Sequence, residues 1–235
     1  MTPGGEVPLP SGEAHHALRV LRIKAGETVG LFDGRGTEAW GAFTPVDRRA
    51  ALVRVEGVRR HEAPSVRVLL APAWPHRDKA VEEIIRRGTE LGVAGFHFWR
   101  AERSQRPTGG LDRWERCVVD SCKQCGRPAF PDVNAWDSLS ALLDGVPGRV
   151  VAADLEETPS EVVVLGPAGP DLLLVVGPEG DFTEGERALL TEKGAARVSL
   201  GAQVLRLEVA AVTLATLALN GAGLLGTQFM AKRDA

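Results

Sequence analysis

No apolar run in this chain of 235 residues approaches the roughly twenty residues that a helix needs to cross a bilayer. The opening Met-Thr-Pro-Gly-Gly-Glu has neither a basic region nor an apolar core for export. These absences lead us to expect a cytoplasmic protein with no membrane partner. Familiar catalytic signatures are missing too: GxxxxGKS/T, GxSxG and HExxH do not occur, and all five histidines fall within the first 97 residues. P-loop, triad and zinc-peptidase chemistry therefore find no support. Gly34-x-Gly36 and Gly177-x-x-Gly180 do not open a βαβ unit in the way a dinucleotide fingerprint requires. The 3 cysteines, Cys117, Cys122 and Cys125, include one CxxC pair without a second pair or a nearby histidine, so we expect no metal and read them as packing or partly exposed thiols. Lysine is scarce, 5 against 23 arginines, a bias that genome composition explains as readily as phosphate recognition.

What is present suffices for one sizeable core and a small satellite domain, since 44% of the residues are hydrophobic. The net charge is −3 but unevenly spread: +1 over residues 1–63, +3 over 64–136 and −7 over 137–235. A modestly basic front permits a directed nucleic-acid footprint, and ordinary scatter of solvated charge explains the same numbers.

Residues 1 to about 62 read as short strands and turns. Thr28–Phe32 ends at Asp33-Gly-Arg-Gly36, Thr37–Phe43 is a return strand, and Ala51–Val58 is another. Leu18, Val20, Leu21 and Ile23, interleaved with Arg19, Arg22 and Lys24, fit a short helix or strand with one basic side. The polar run Arg59–Pro64 marks a boundary. Beyond it strands and helices alternate, the pattern of an α/β sheet. Val66–Ala71 is a strand, and Asp78 can cap a helix with Val81, Ile84, Ile85 and Leu91 on one face. Gly95–Trp99 is the next strand, within which His97, alternating with aromatics, reads as a core residue or one supporting a site from behind rather than as catalytic. Leu111–Gly126 reads as a helix on which Arg113, Arg116, Lys123 and Arg127 share a face, either a phosphate-contacting stripe or a solvated face with internal ion pairs. A short helix over Asp137–Leu143, a strand over Arg149–Asp154 and a final helix over Leu205–Leu225, apolar nearly all round, complete the pattern.

The most informative stretch is Leu172–Glu208. Five apolar residues run into Gly177-Pro-Glu-Gly-Asp181, as a strand buried on both faces does at a loop needing close backbone approach. Thr183-Glu-Gly-Glu186 fits a capping box opening a helix that Gly194 ends. A second short strand, Ala196–Leu200, delivers Gly201, Arg206 and Glu208 to the same sheet edge, where α/β proteins bind ligands.

Gly177-Pro-Glu-Gly-Asp-Phe-Thr-x-x-Glu186 followed by Leu200-Gly-x-x-x-Leu205-Arg-x-Glu208 resembles the bacterial small-subunit ribosomal RNA uridine N3-methyltransferases of the SPOUT class. Thr89-Glu-Leu-Gly-Val93, Glu102-Arg-Ser104, Gln124-x-x-Arg127-Pro, Leu18-Arg-Val-Leu-Arg22 and Phe32-Asp-Gly-x-Gly36 extend the resemblance over nearly the whole chain. It implies a PUA-like RNA-binding β-barrel over residues 1–63 and a SPOUT trefoil-knotted α/β methyltransferase domain over 64–235. The implied cofactor is S-adenosyl-L-methionine, held by the strand exits at Leu155, at Val176, Gly177, Glu179 and Gly180, and at Ser199, Leu200, Gly201, Leu205 and Arg206. The implied acceptor is uracil N3 of 16S rRNA in the small ribosomal subunit, and the implied assembly is a homodimer.

Removing the N3 proton leaves negative charge on the uracil carbonyls, which a cation stabilises. Arg206, oriented by Glu208, or Arg103 has that role in our reading, with Glu179, Asp181, Glu208 or water as proton acceptor. Arg19, Arg22, Arg103, Ser104, Arg113, Arg116, Lys123 and Arg127 are the candidate RNA contacts. Asp181 stands where the resemblance leads one to expect a second small residue. A SPOUT enzyme with another rRNA or tRNA base as acceptor, and a ribosome-assembly factor that binds RNA without catalysis, remain alternatives.

Overall fold

A computed structural model describes residues 1–102, 104, 109–155 and 171–225. It divides into two units, one of Met1–Ala63 with Gly126–Phe130, the other of Pro64–Cys125 with Pro131–Ala235.

In the first unit β1 (Glu6–Pro8), β2 (Thr28–Phe32), β3 (Thr37–Pro45) and β4 (Ala51–Arg60) form an antiparallel sheet in the order β1-β4-β3-β2. Along β3 and β4 buried and open positions alternate, as they do when only one face is covered. The cover is helix α1 (Ser11–His15) and the π-helical turn His16–Leu21 that continues it. Ala14 and Ala17 pack there on Phe43, Ala51 and Val53, with Leu18 and Ile23 alongside. The wider π-helical turn puts side chains out of the usual helical phase, so Val20 and Leu21 point outward, 62% and 58% exposed, rather than joining an apolar face. The β2–β3 turn is closed by Asp33, whose carboxylate accepts from Arg35 N and Thr37 N at 2.7 and 2.9 Å. Phe130 N donates to Gly34 O at 2.9 Å, and the Phe130 ring meets Phe32 edge-on.

The second unit has β5 (Arg67–Pro72), β6 (Gly95–Trp99), β7 (Asp132–Trp136), β8 (Arg149–Ala153), β9 (Asp171–Val176) and β10 (Ala196–Val198). They form one parallel sheet in the order β10-β8-β9-β5-β6-β7. Every residue of β6 and β9 is buried, which explains the unbroken apolar run Leu172–Val176 of β9 and the aromatic residues that flank His97 in β6. The helices are α2 (Asp78–Leu91), α3 (Leu111–Cys125), α4 (Leu139–Gly145), α5 (Glu184–Glu192) and α6 (Leu207–Gly221), and α6 packs on β5, β9 and α2. Arg67 grips Asp171 with two hydrogen bonds of 3.0 and 2.6 Å where β5 and β9 begin. His97 is buried and accepts from Trp136 Nε1 at 3.2 Å, and burial lowers its pKa, as befits a core imidazole.

Four expectations about local structure need correction. Asp78 is not a cap: Arg77 occupies that position, and the Asp78 carboxylate instead accepts from Arg113 at 2.6 Å. Arg127 lies beyond the end of α3 and within the first unit, so it does not share the helix face of Arg113, Arg116 and Lys123. Helix α4 starts later, at Leu139, because the Ser138 hydroxyl accepts from Ala141 N and caps it. Helix α6 starts at Leu207 because Arg206 has the extended backbone of an N-cap.

Candidate active site

The exits of parallel strands share one edge of the second unit's sheet, and there lies a cleft, partly open to solvent, with an accessible volume of about 70 Å³. The β8 exit contributes Asp154 and Leu155. The β9 exit contributes Val176, Gly177, Pro178, Glu179 and Asp181. The loop after β10 contributes Leu200, Gly201, Gln203, Val204 and Leu205, and the first turns of α6 add Leu207 and Ala210. Aliphatic side chains make the walls and carboxylates stand among them, a surface suited to a flat apolar ring with polar substituents.

The β9 turn is tightly built. Asp181 N donates to Pro178 O at 2.9 Å, closing a turn with Glu179 and Gly180 at its corners. A Cβ on Gly177 would lie 3.1 Å from the Phe182 ring, so the backbone approaches that ring closely enough that any larger residue would press the ring aside by a few tenths of an ångström. Phe182 is buried and stacks on Trp99 at 6.1 Å between centroids. Asp181 has φ 61, a left-handed conformation, which accounts for the small residue expected at this position. Its carboxylate accepts from Phe182 N at 2.8 Å and from Arg187 at 2.6 Å.

The capping box forms as the spacing predicts: Glu186 N donates to Thr183 Oγ1 at 3.2 Å and Thr183 N to Glu186 Oε2 at 2.8 Å. The other Glu186 oxygen accepts from Glu102 N at 3.2 Å, which ties the β6 exit to the start of α5. The β5 exit reaches the cleft as well. His76 N donates to Glu179 Oε1 at 3.4 Å, and the Arg77 guanidinium lies 3.8 Å from Glu208, whose side chain is only 11% exposed. By contrast the Ser199–Arg206 loop is held loosely, with Ser199 Oγ 3.4 Å from both Gly201 N and Gly201 O.

Residues 61–219 match the model of an RNA methyltransferase domain, and residues 9–56 that of an RNA methyltransferase PUA domain. The ribosomal RNA small subunit methyltransferase E of Mycobacterium tuberculosis is 34% identical over 231 residues, covering 92% of this chain and 86% of its own. Its Synechocystis counterpart is 33% identical, covering 91% and 71%. The chain belongs to the ribosomal RNA small subunit methyltransferase E family. Among solved structures, the family member of Neisseria gonorrhoeae bound to S-adenosyl methionine superimposes with a TM-score of 0.85 at 25% identity, covering 94% of this chain and 93% of its own. A Legionella pneumophila protein solved with its bound cofactor S-adenosyl methionine gives 0.84 at 26% identity, covering 94% of both chains.

For a small subunit methyltransferase E, the placement of the candidate residues is informative. Leu155, Val176, Gly177, Glu179, Leu200, Gly201 and Leu205 line the cleft; Gly180, Ser199 and Arg206 do not. Arg206 is exposed, and among the described residues its guanidinium has no hydrogen-bond or ion-pair partner. Its expected orientation by Glu208 is not found: Arg206 sits at the N-cap, outside the helical repeat, while Glu208 in the first turn faces Arg77. Arg103 lies outside the described residues. Ser104 is buried and closes its own turn, its hydroxyl accepting from Ala101 N at 2.9 Å. Arg113 is held by Asp78 and Glu82 at 2.6 Å each and lies over the Trp114 ring, which makes it a brace between α2 and α3. Arg116 donates to Asp112 O, and Arg19, Arg22 and Lys123 are exposed or half-exposed.

Sequence reasoning missed Asp154, Gln203, Val204, Leu207 and Ala210 as lining residues. Asp154 had a signal, a carboxylate directly after an apolar strand. Arg77 and His76 had none, because their partners lie more than a hundred positions away.

Proposed function

We propose that this protein transfers the methyl group of S-adenosyl-L-methionine to N3 of a uracil in the 16S RNA of the small ribosomal subunit, using the cleft at the β8, β9 and β10 exits. The observation that carries this reading is the Gly177 turn, whose backbone approach beside Val176, Leu200, Leu205 and Leu207 fits a purine ring, in a chain of this family. When bound, the cofactor supplies a methyl group already activated on a sulfonium.

The chain's own residues have three tasks. The glycine turns and aliphatic walls orient the donor and exclude water. Arg206, exposed and without a side-chain partner among the described residues, approaches the uracil carbonyls and stabilises the charge left when N3 loses its proton; Arg103 is the other candidate for that cation. Glu179 is the proton acceptor we favour. Asp181 is gripped by Arg187 at 2.6 Å and Glu208 is only 11% exposed, whereas Glu179, although it also meets His76 at 3.7 Å, lines the cleft with its side chain 38% exposed.

In the same reading residues 1–63 grip RNA through Arg19 and Arg22, joined by Arg116, Lys123 and Arg127, while 64–235 form a trefoil-knotted catalytic domain. Val209 and Leu217, exposed on α6, fit a homodimer contact. The setting is the cytoplasm; no helix among the described residues is long and apolar enough to cross a membrane.

The test is transfer of labelled methyl to small subunits from cells lacking the protein, followed by nucleoside identification. Label in N3-methyluridine is expected. Label in another nucleoside would move the acceptor, and none on particles or naked RNA would favour the non-catalytic assembly factor.

A further inference from the structure

Beneath the cleft lies a charge cluster that the reaction as described leaves unused. Asp154, with a fully buried side chain, is 3.3 Å from Arg187 Nε and 3.4 Å from Arg197 Nη1. The same Arg187 guanidinium, itself 15% exposed, reaches Asp181 Oδ2 at 2.6 Å through Nη2. Arg187 is not part of the cleft lining, yet Asp154 and Asp181, the carboxylates it meets among the described residues, are. One planar, forked cation thus joins the β8 exit to the β9 turn, beyond the last rung of their ladder at Ala153 and Val176.

The join falls where the backbone most needs it. A left-handed conformation is disfavoured for any residue with a Cβ, and aspartate tolerates it better than most. In that conformation the Asp181 backbone N–H closes the turn on Pro178 O, so the position of Glu179 and Gly180 follows from that of Asp181.

We propose that Arg187 is a positioning residue for the cofactor cleft: bracketed by Asp154 and Asp181, it holds Asp181 in its left-handed conformation and thereby sets the Pro178–Asp181 turn in its ligand-ready shape. This rests on the reading of the cleft as the S-adenosyl-L-methionine site. The residue touches neither cofactor nor RNA and acts through Asp181. Lysine in its place keeps the charge that buried Asp154 requires but cannot bridge two carboxylates, so Arg187→Lys separates positioning from folding.

The experiment measures S-adenosyl-L-methionine affinity by calorimetry, and KM and kcat for the full-length protein, in the wild type, Arg187→Lys, Asp181→Asn and the double variant. Arg187→Lys should raise the cofactor Kd and KM about fivefold and leave kcat at saturating cofactor within about twofold. In the Asp181→Asn background the same change should add less than about twofold, because the partner through which it acts is gone. An unchanged KM, an equal factor in both backgrounds, or a fall in kcat alone would overturn the clamp. A wild type that binds no S-adenosyl-L-methionine would overturn the cofactor reading and the clamp with it; a wild type that binds while Arg187→Lys matches it overturns the clamp alone.

Discussion

The two walls of the cleft are built in opposite ways. The β9 turn is held by a backbone closure, a carboxylate clamp, a capping box and an aromatic stack on Trp99. The Ser199–Arg206 loop has two long contacts at Gly201 and a solvent-exposed middle, with Val204 82% exposed. One wall is finished before any ligand arrives, and the other offers aliphatic side chains that only a ligand would cover. Binding energy is then spent on ordering one side rather than both.

The sharpest way to break this contrast is to remove the prop from the finished wall. Phe182→Ala should cost about 3 to 5 kcal/mol of stability, lowering the melting temperature by roughly 10 °C and abolishing cofactor binding measured by calorimetry. Gly177→Ala drives a methyl group toward the Phe182 ring and should cost about 1 to 3 kcal/mol, with weakened cofactor binding.

A third variant probes how the finished wall is fed from the start of β9. The Arg67 guanidinium holds the Asp171 carboxyl below its ordinary value through its hydrogen bonds, working against burial. A depressed folded pKa means that the stabilisation is present at neutral pH and is lost as pH falls below the unfolded value of about 3.9 and through the folded one. Asp171→Asn should therefore cost about 1 kcal/mol at pH 7 and flatten the acid limb of a stability-against-pH curve. The smallest effect belongs to the unfinished wall. Val204→Ser should change stability by less than about 0.5 kcal/mol, yet weaken cofactor binding measurably. Hydrogen exchange should show cofactor slowing amides of residues 201–205 more than those of 177–182; equal protection of both would sink the comparison.

Much of the finished wall was legible because its causes are local. An apolar run ending in Gly-Pro, a Thr and a Glu three apart, and a glycine stop each work through neighbours in sequence, and the strand, turn and capping box follow from them. The oddity at Asp181 was visible as a departure from the family pattern; its reason, a positive φ held by Arg187, was not. Long-range pairing decided what sequence could not. Glu208 has Arg206 two residues away and faces Arg77 instead, while Arg113, which looked like an outward stripe residue, is consumed by Asp78 and Glu82. Nothing in the spacing around Gly126–Phe130 announces that these five residues group with the first unit.

The shared carboxylate of Glu186 bears on the order in which the molecule assembles. It joins Thr183 to Glu102, which lies 84 positions upstream of Glu186 itself, and the Glu179–His76 and Asp171–Arg67 contacts span 103 and 104 positions. Each requires the loop-closure entropy of a long chain segment to be met before the contact stabilises anything. The helices and the β2–β3–β4 meander can form early from near neighbours, but the ligand-binding face waits until both halves of the parallel sheet have met. In a refolding experiment, the capacity to bind cofactor should be the last property to return.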